Sequence, residues 1–192
     1  MYKSTIWLHL AIVISAANTR AEGLPSSVLK KTPPGYILLK YASGNLDSDS
    51  LRDYLVVMHK AEEANVQSPH YAAERPLLIF IQTSDGNFKL ARRNDEVVFR
   101  LDEGAQCDPF LDGGYGGITI RYPYFTVENG VACGQHWTDY ITFKYDPKLK
   151  DWLFHRRIYE VSFDPGNPNG KEKRTVHRGL IHRKIPFEKY SR

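Results

Sequence analysis

Oxygen-bearing side chains recur at alternate positions in the stretch ASGNLDSDSLRDYLVV (42–57). With Asn45 taken as position 1, Asp47 stands at position 3, Asp49 at position 5 and Asp53 at position 9. Calcium takes about six to eight oxygen ligands, which a tight loop supplies from alternate side chains and a backbone carbonyl. The spacing predicts a calcium loop. The alternative interpretation is a polar turn held in shape by Asx-type hydrogen bonds.

The stretch does not satisfy the pattern of an EF-hand, the helical type of calcium loop. An EF-hand needs a glycine at position 6 and an acidic residue at position 12. Here Ser50 and Val56 occupy these positions, and Val56 lies in an apolar run typical of a strand. Any calcium loop at this place must therefore lead into a β-strand.

A loop of this kind resembles the integrin-type FG-GAP or VCBS repeat, which reads D-x-D/N-x-D-G-x-x-D and continues into a strand D-L-V-V. Later segments, RPLLIFIQTSDGNFKLARRND, DPFLDGGYGGITIRYPYFTVENG and HWTDYITFKYDPKLKDWLFHR, are similar to a group of exported bacterial proteins of mostly unassigned function. The resemblance covers about residues 36–160 and implies one such loop in an all-β body. Asn45 replaces the usual first aspartate and Ser50 the usual glycine, so the resemblance implies a weakened calcium site.

The N-terminus is typical of a secretory signal peptide. Lys3 precedes an apolar run from Ile6 to about Ala17, and small residues lead to an expected cleavage site after Ala21. The run is shorter than the roughly 20 apolar residues that span a bilayer. We expect a signal peptide at residues 1–21, no membrane span after its removal, and a periplasmic mature protein. An uncleaved anchor is the alternative.

The two cysteines, Cys107 and Cys133, both lie in the exported part of the chain. An oxidising compartment favours a disulfide between them, and their spacing gives no CxxC motif. The alternative is a pair of buried free thiols.

Alternation of apolar and polar residues with period two dominates residues 22–192, for which we expect a single β-rich domain. The intervals between the runs are too short for crossover helices, so the strands should form antiparallel hairpins and meanders, in sheets like propeller blades. We expect at most a short N-terminal helix. The runs are YILLKY (36–41), DYLVVMHK (53–60), RPLLIFIQ (75–82), NFKLAR (87–92), EVVFRL (96–101), GITIRY (117–122), YFTVEN (124–129), DYITFKY (139–145), DWLFHRRIYEVSF (151–163) and a last edge strand within RTVHRGLIHRKIPF (174–187).

Charge is distributed unevenly along the chain. Residues 148–192 carry 12 Lys and Arg against 5 Asp and Glu, whereas residues 22–147 carry 12 against 17. In an exported protein this basic C-terminal segment, with Arg174, Arg178 and Arg183, indicates a protein or envelope partner before nucleic acid. The alternative is a solvated edge strand, whose cations discourage aggregation.

Tyrosines cluster around a glycine-rich stretch, DGGYGGITIRYPYF. Tyr115, Tyr122 and Tyr124 are candidate contact residues for a protein partner. They are equally typical of a hairpin in which tyrosine covers a sheet face.

Catalysis has weaker support in the sequence. The chain contains no HExxH, GxSxG or phosphate-cradling GK[ST] motif. The hypothesis that follows is an exported, non-catalytic binding protein, in one concrete form an immunity or inhibitor protein that occludes a toxic cell-wall-targeting enzyme. A calcium-stabilised envelope or adhesion module is the alternative. A periplasmic hydrolase, the third hypothesis, requires His136 or His155 beside an acid in a cleft.

Overall fold

The strands lie in two antiparallel sheets with almost no helix, which confirms the predicted all-β class. A computed structural model describes residues 23–65, 72–111, 117–134, 136–163, 171–179 and 183–192, so the predicted signal peptide lies outside the described residues. The elements are α1 (Ser26–Leu29), β1 (Tyr36–Gly44), β2 (Asp53–Lys60), β3 (Leu77–Gln82), β4 (Phe88–Asn94), β5 (Gly117–Arg121), β6 (Tyr124–Val131), β7 (His136–Asp146), β8 (Asp151–Phe163) and β9 (Lys173–Arg178). Short 3-10 helices occupy Ala61–Asn65, Leu101–Gly104 and Phe187–Lys189.

Both sheets are meanders in which each strand pairs with its neighbours in the sequence. Sheet 1 has the strand order β1-β2-β3-β4, and sheet 2 has the order β5-β6-β7-β8-β9. Every pairing is antiparallel, as the short intervals between the runs predicted.

Sheet 1 is covered on both faces. Leu55 and Leu77 belong to the central core that sheet 1 shares with sheet 2. Val56 and Phe80 point to the opposite face, where Val28 of α1 packs against them. Burial on both faces explains why β2 and β3 read as continuous apolar runs and not as alternating ones.

Among the described residues, sheet 2 is covered on one face only. Along β6, Phe125 and Val127 are buried in the central core, whereas Tyr124 and Thr126 between them point away from it. A strand with this alternation has one face in the core and one toward solvent. The outer face of sheet 2 is therefore a platform on which side chains can meet a partner.

The last ten residues fasten the two sheets together. Phe187 and Tyr190 are buried, and both rings pack edge-on against Phe143, with centroids 5.1 Å and 5.3 Å from it. Asn94 at the end of β4 donates from Nδ2 to the carbonyl oxygens of Phe187 and Tyr190, at 2.7 Å and 2.8 Å. The C-terminal segment is thus part of the core.

One predicted strand, EVVFRL (96–101), is not a strand. Val97 is completely buried, but the backbone bonds to amide side chains instead of to a neighbouring strand. Asn94 Oδ1 accepts from the N–H of Val97 (2.8 Å), while Asn129 accepts from Phe99 N (3.0 Å) and donates to Val97 O (3.2 Å). One local and two tertiary hydrogen bonds thus satisfy these backbone groups, so the apolar run needs no neighbouring strand.

The predicted edge strand within residues 174–187 is confirmed at its start and is shorter than expected. It forms β9 (Lys173–Arg178), and the chain then leaves the sheet. Gly179 marks the exit, because a Cβ at this position would collide with the carbonyl oxygen of Phe154.

A buried ion network holds the first sheet to the segment before β5. The guanidinium of Arg75, 1% exposed, donates two hydrogen bonds to Asp108 at 2.7 Å and 2.6 Å and a third to Glu63 at 2.9 Å. His59 Nδ1 lies 2.8 Å from Glu63. A buried cation with this many charge-assisted bonds fixes the position of both acidic segments.

Candidate functional site

The predicted calcium loop between β1 and β2 brings three carboxylates together. One oxygen from each of Asp47, Asp49 and Asp53 lies within 4.8 Å of the others. Asn45 also reaches into the loop, where its Nδ2 donates to the carbonyl oxygen of Asp49. The four predicted residues therefore share one loop, and three of them present oxygens at a separation that one cation can bridge.

Asp53 is the buried member of the loop. Its side chain accepts hydrogen bonds from the N–H of Leu46 (2.8 Å) and from the N–H of Gln82 (3.0 Å), which joins the loop to β3. Burial raises the pKa of Asp53 to about 6, and the charges of Asp47 and Asp49 add to the rise, although the two backbone donors oppose it. A bound cation would favour the charged form of this carboxyl.

Asp47 and Asp49 hold the loop by Asx-type hydrogen bonds. Asp47 Oδ1 accepts from the N–H of Asp49 and Asp49 Oδ1 from the N–H of Leu51, both at 2.8 Å. Partial burial raises the pKa of Asp47 despite the backbone hydrogen bond. The Asx-type hydrogen bonds that the alternative interpretation, a polar turn, predicted are therefore present. They are compatible with a cation, because each carboxylate has a second oxygen.

Ser50 adopts an ordinary backbone conformation. Among the described non-glycine residues, only Ala105 and Lys150 have a positive φ. The left-handed turn for which a glycine would be needed is therefore not made at this position. Of the two departures from the FG-GAP pattern, the missing charge at Asn45 is the one with a structural consequence.

Two anchors of the loop were missed by sequence reasoning. Trp152 of β8 donates from its indole Nε1 to the carbonyl oxygen of Leu46 (2.8 Å), which ties the loop to sheet 2. Gln82 accepts from the N–H of Arg52 through Oε1 (3.2 Å). Neither residue had a recognisable signal, because each contact joins segments that are distant in the sequence.

Cys107 and Cys133 form the predicted disulfide, with their Cα atoms 6.3 Å apart. The bridge joins the turn before Asp108 to the turn after β6. Because Cys107 directly precedes Asp108 in the sequence, the disulfide is adjacent to the Arg75 network.

Two of the candidate partner-binding residues, Tyr124 and Arg178, lie on the same face of sheet 2. Thr126, Thr142, Arg156 and Arg178 stand directly opposite one another across β6, β7, β8 and β9, and directly opposite residues share a face. Tyr124 lies two residues before Thr126, so its side chain belongs to the same outer face.

The remaining candidates lie around this face. Tyr122 is exposed in the turn between β5 and β6, and Arg174 is exposed on β9. Arg183 is exposed but lies beyond β9, after residues 180–182, which are outside the described residues. Tyr115 also lies outside them.

One end of the outer face is strongly basic, and we call it the basic face. It consists of Arg121, Tyr124, Lys144, His155, Arg156 and Arg178. The Tyr124 ring is central to it, with the ring of His155 centred 5.0 Å away and Lys144 Nζ 5.6 Å from its centroid. The Tyr124 ring thus contacts His155 through a ring–ring contact and Lys144 through a cation–π contact.

Two cavities adjoin the basic face and share His155. One of about 460 Å³ is lined by Arg121, Tyr124 and Arg156 among others. The other, of about 510 Å³, is lined by Lys144, Lys148 and Lys184 and by Asp146, whose carboxylate bonds Lys184 Nζ at 2.9 Å. Both cavities are suited to anionic groups.

The two histidines of the hydrolase hypothesis lie on sheet 2. Partial burial lowers the pKa of His155, and the charges of Arg156 and Lys144 lower it further. The acid that lines a cavity with His155 is Asp146, and its carboxylate accepts a hydrogen bond from Lys184 Nζ. His136 is exposed at the start of β7.

Comparisons with protein-family models, with curated proteins and with solved structures found no match. Within the described ranges, every helix is too short to cross a bilayer. The FG-GAP resemblance and the periplasmic location stay predictions.

Proposed function

We propose that this chain is an exported, non-catalytic binding protein of the bacterial periplasm whose partner is a protein with an acidic surface. In its most concrete form it is an immunity or inhibitor protein that occludes a toxic cell-wall-targeting enzyme. The observation that supports the proposal is the basic face, where Tyr124 and cations from distant parts of the chain share one exposed side of a sheet.

The basic face has the properties of a docking surface. Four of its cations are exposed and stand on paired strands: Arg121, Lys144, Arg156 and Arg178. A fixed field of one sign accelerates the encounter with an oppositely charged surface and selects against other partners. Arginine and tyrosine are also the residues that contribute most to binding energy at protein interfaces.

The test is complex formation with the enzyme encoded beside the gene, measured by calorimetry and by association kinetics. A Lys144→Glu, Arg156→Glu double variant should associate at least about tenfold more slowly, because the steering field is reversed. Lys30→Glu combined with Lys89→Glu is the matched control, since it reverses the same number of charges at two exposed lysines, at the C-terminal end of α1 and on β4 of sheet 1. It should bind as the wild type does.

Failure to form a complex with any neighbouring enzyme would remove the immunity form of the proposal. Equal association rates for the double variant and the control would remove the basic face as the docking surface. Export is tested separately by cell fractionation, in which deletion of residues 1–21 should retain the protein in the cytoplasm.

A second candidate function, a calcium-stabilised envelope or adhesion module, is favoured by the convergence of Asp47, Asp49 and Asp53 within 4.8 Å. Extracellular calcium modules bind with dissociation constants of about 10⁻⁴ to 10⁻³ M, so the relevant range is millimolar. Calorimetry at pH 7 should give a binding heat that Asp49→Ala abolishes. Absence of both a heat and a change in melting temperature at millimolar calcium would end this candidate.

A further inference from the structure

Strand β9 lies at the end of sheet 2, and its far side carries no hydrogen-bonded segment among the described residues. The other sheet edges have neighbours. β1 approaches β5 so closely that a Cβ on Gly44 would lie 2.9 Å from Ile120 Cγ2, and Asn94 on β4 bonds the C-terminal segment. β9 is thus the edge at which another strand can be added.

The register shows which backbone groups of β9 point to this free side. The N–H of Gly179 donates to the carbonyl oxygen of His155 at 2.8 Å, in line with the pairing of Arg178 opposite Arg156. Residues of an antiparallel pair alternate between hydrogen-bonded and non-hydrogen-bonded positions. The N–H and C=O groups of Arg174, Val176 and Arg178 are therefore directed away from β8.

The side chains of the same three residues lie on the outer face of sheet 2, because they stand opposite Glu160, Ile158 and Arg156. Val176 is 38% exposed and is flanked by two exposed arginines. Arg174 pairs with Glu160 at 3.0 Å, but both side chains are largely accessible to water. The edge thus presents a cation, an apolar group and a second cation in a row.

We propose that β9 binds an extended acidic segment of a protein partner by β-strand addition. An added strand bonds the outward backbone groups and places every second side chain on the outer face. Opposite Arg174, Val176 and Arg178 it would carry an acidic, an apolar and an acidic residue. A second copy of this chain is a poor occupant, because pairing β9 with β9 would oppose arginines to arginines.

This inference rests on the proposed function, since it names how a protein partner is engaged. It differs from the protective role of edge cations, which discourage any strand from pairing. The charges repel a basic strand and attract an acidic one, so the two roles predict different results with an acidic strand.

The probe is the peptide acetyl-Thr-Glu-Thr-Val-Thr-Glu-Thr-amide, titrated into the full mature chain and followed by amide chemical shifts and hydrogen exchange. The amides of Arg174, Val176 and Arg178 should shift and become protected. The same peptide with Lys in place of both Glu should bind about tenfold more weakly, because two cross-strand charge pairs become repulsive. An Arg174→Glu, Arg178→Glu variant should reverse this preference.

Proline substitutions test the backbone register. Val176→Pro removes an outward N–H and no bond to β8, so it should leave the fold intact and abolish peptide binding. Thr175→Pro removes a bond to β8 and should lower the melting temperature. Peptide binding that survives in Val176→Pro, or equal binding of the Glu and Lys peptides, would overturn the inference, as would unshifted β9 amides at millimolar Glu peptide.

Failure here is distinguishable from failure of the proposed function. If the neighbouring enzyme binds Val176→Pro as tightly as it binds the wild type, the protein-binding function stands and strand addition is wrong. If the Glu peptide binds β9 but no enzyme does, strand addition stands and the immunity form is wrong.

Discussion

The acidic loop Asn45–Asp53 of sheet 1 and the basic strand β9 of sheet 2 both concentrate charge of one sign. The carboxylates of the loop bond to the backbone, whereas the guanidinium groups of β9 point into water. In the loop, carboxylates accept hydrogen bonds from nearby backbone N–H groups, and Asp53 is fully buried. On β9, the arginines are exposed, and the ion pair of Arg174 with Glu160 is accessible to water, which screens it.

Side-chain length explains this difference. An aspartate carboxylate is close enough to its own backbone to compete for local N–H groups, so a run of aspartates folds onto itself. An arginine on an edge strand carries its charge several bonds away from the backbone and into water. The aspartates therefore stabilise the loop, whereas the arginines of β9 are available to contact a partner.

The largest effect should come from removing the inward-facing carboxylate. Asp53→Ala leaves the N–H groups of Leu46 and Gln82 without their acceptor and should lower the free energy of unfolding by about 3 kcal/mol. Urea denaturation measures this. Asp49→Ala, which removes an exposed carboxylate of the same loop, should cost less than half as much, and equal costs would contradict the comparison.

The second effect is a pH dependence. The pKa of Asp53 is raised to about 6 in the folded protein, so the folded state binds a proton more tightly than the unfolded state does. The contribution of Asp53 to stability is therefore greatest in its protonated form, below about pH 4, and is lost as pH rises to about 6.

Asp53→Asn, which does not titrate, isolates this contribution. Between about pH 4 and pH 7 the free energy of unfolding should fall by about 2 kcal/mol more in the wild type than in this variant. Parallel pH profiles would show that Asp53 has an ordinary pKa. Calcium binding should also weaken below about pH 6, because the cation competes with this proton.

A third, smaller effect concerns the missing charge of the loop. Asn45→Asp removes the Nδ2 donor to Asp49 O, so it should lower the melting temperature without calcium. With about 10 mM calcium the variant should gain about 3 °C or more relative to its calcium-free state, since it supplies another anionic ligand. Asn87→Asp, in the exposed turn between β3 and β4, should show no such gain.

The smallest effect should come from the outward-facing charges. A double-mutant cycle on Arg174 and Glu160 should give a coupling free energy below about 0.5 kcal/mol, because the pair is largely exposed. Thermal or urea unfolding of the four proteins checks this. A coupling above about 1 kcal/mol would mean that the basic edge supports the fold as the acidic loop does.

Most of the strands could be predicted from the sequence, and the exceptions have a common cause. Alternation located the strands of sheet 2 to within a few residues, since one buried face imposes period two, and continuous apolar runs located β2 and β3, which are buried on both faces. Residues 96–101 are also rich in apolar and β-branched residues, but Phe99 N–H and Val97 C=O bond to the side chain of Asn129, about 30 residues away, which the local sequence cannot indicate. Similarly, the end of β9 depends on the close approach of Gly179 to Phe154.

The candidate site was predictable to a similar extent. The acidic loop is local, so spacing alone indicated Asn45, Asp47, Asp49 and Asp53. Its anchors, Gln82 and Trp152, come from other strands. The tyrosines and the C-terminal arginines were recognised as two separate candidates, and strand pairing places Tyr124 and Arg178 on one face.

The sequence by itself determined that the chain is all-β, that its meanders run antiparallel, that Cys107 and Cys133 are available for one disulfide and that an acidic loop precedes β2. The tertiary structure decided which charges face inward and that Tyr124 and Arg178 share a face. The physical reason is the range of the interactions. Propensity and alternation depend on residues that are neighbours in the chain, whereas burial and register depend on contacts between segments that are far apart in it.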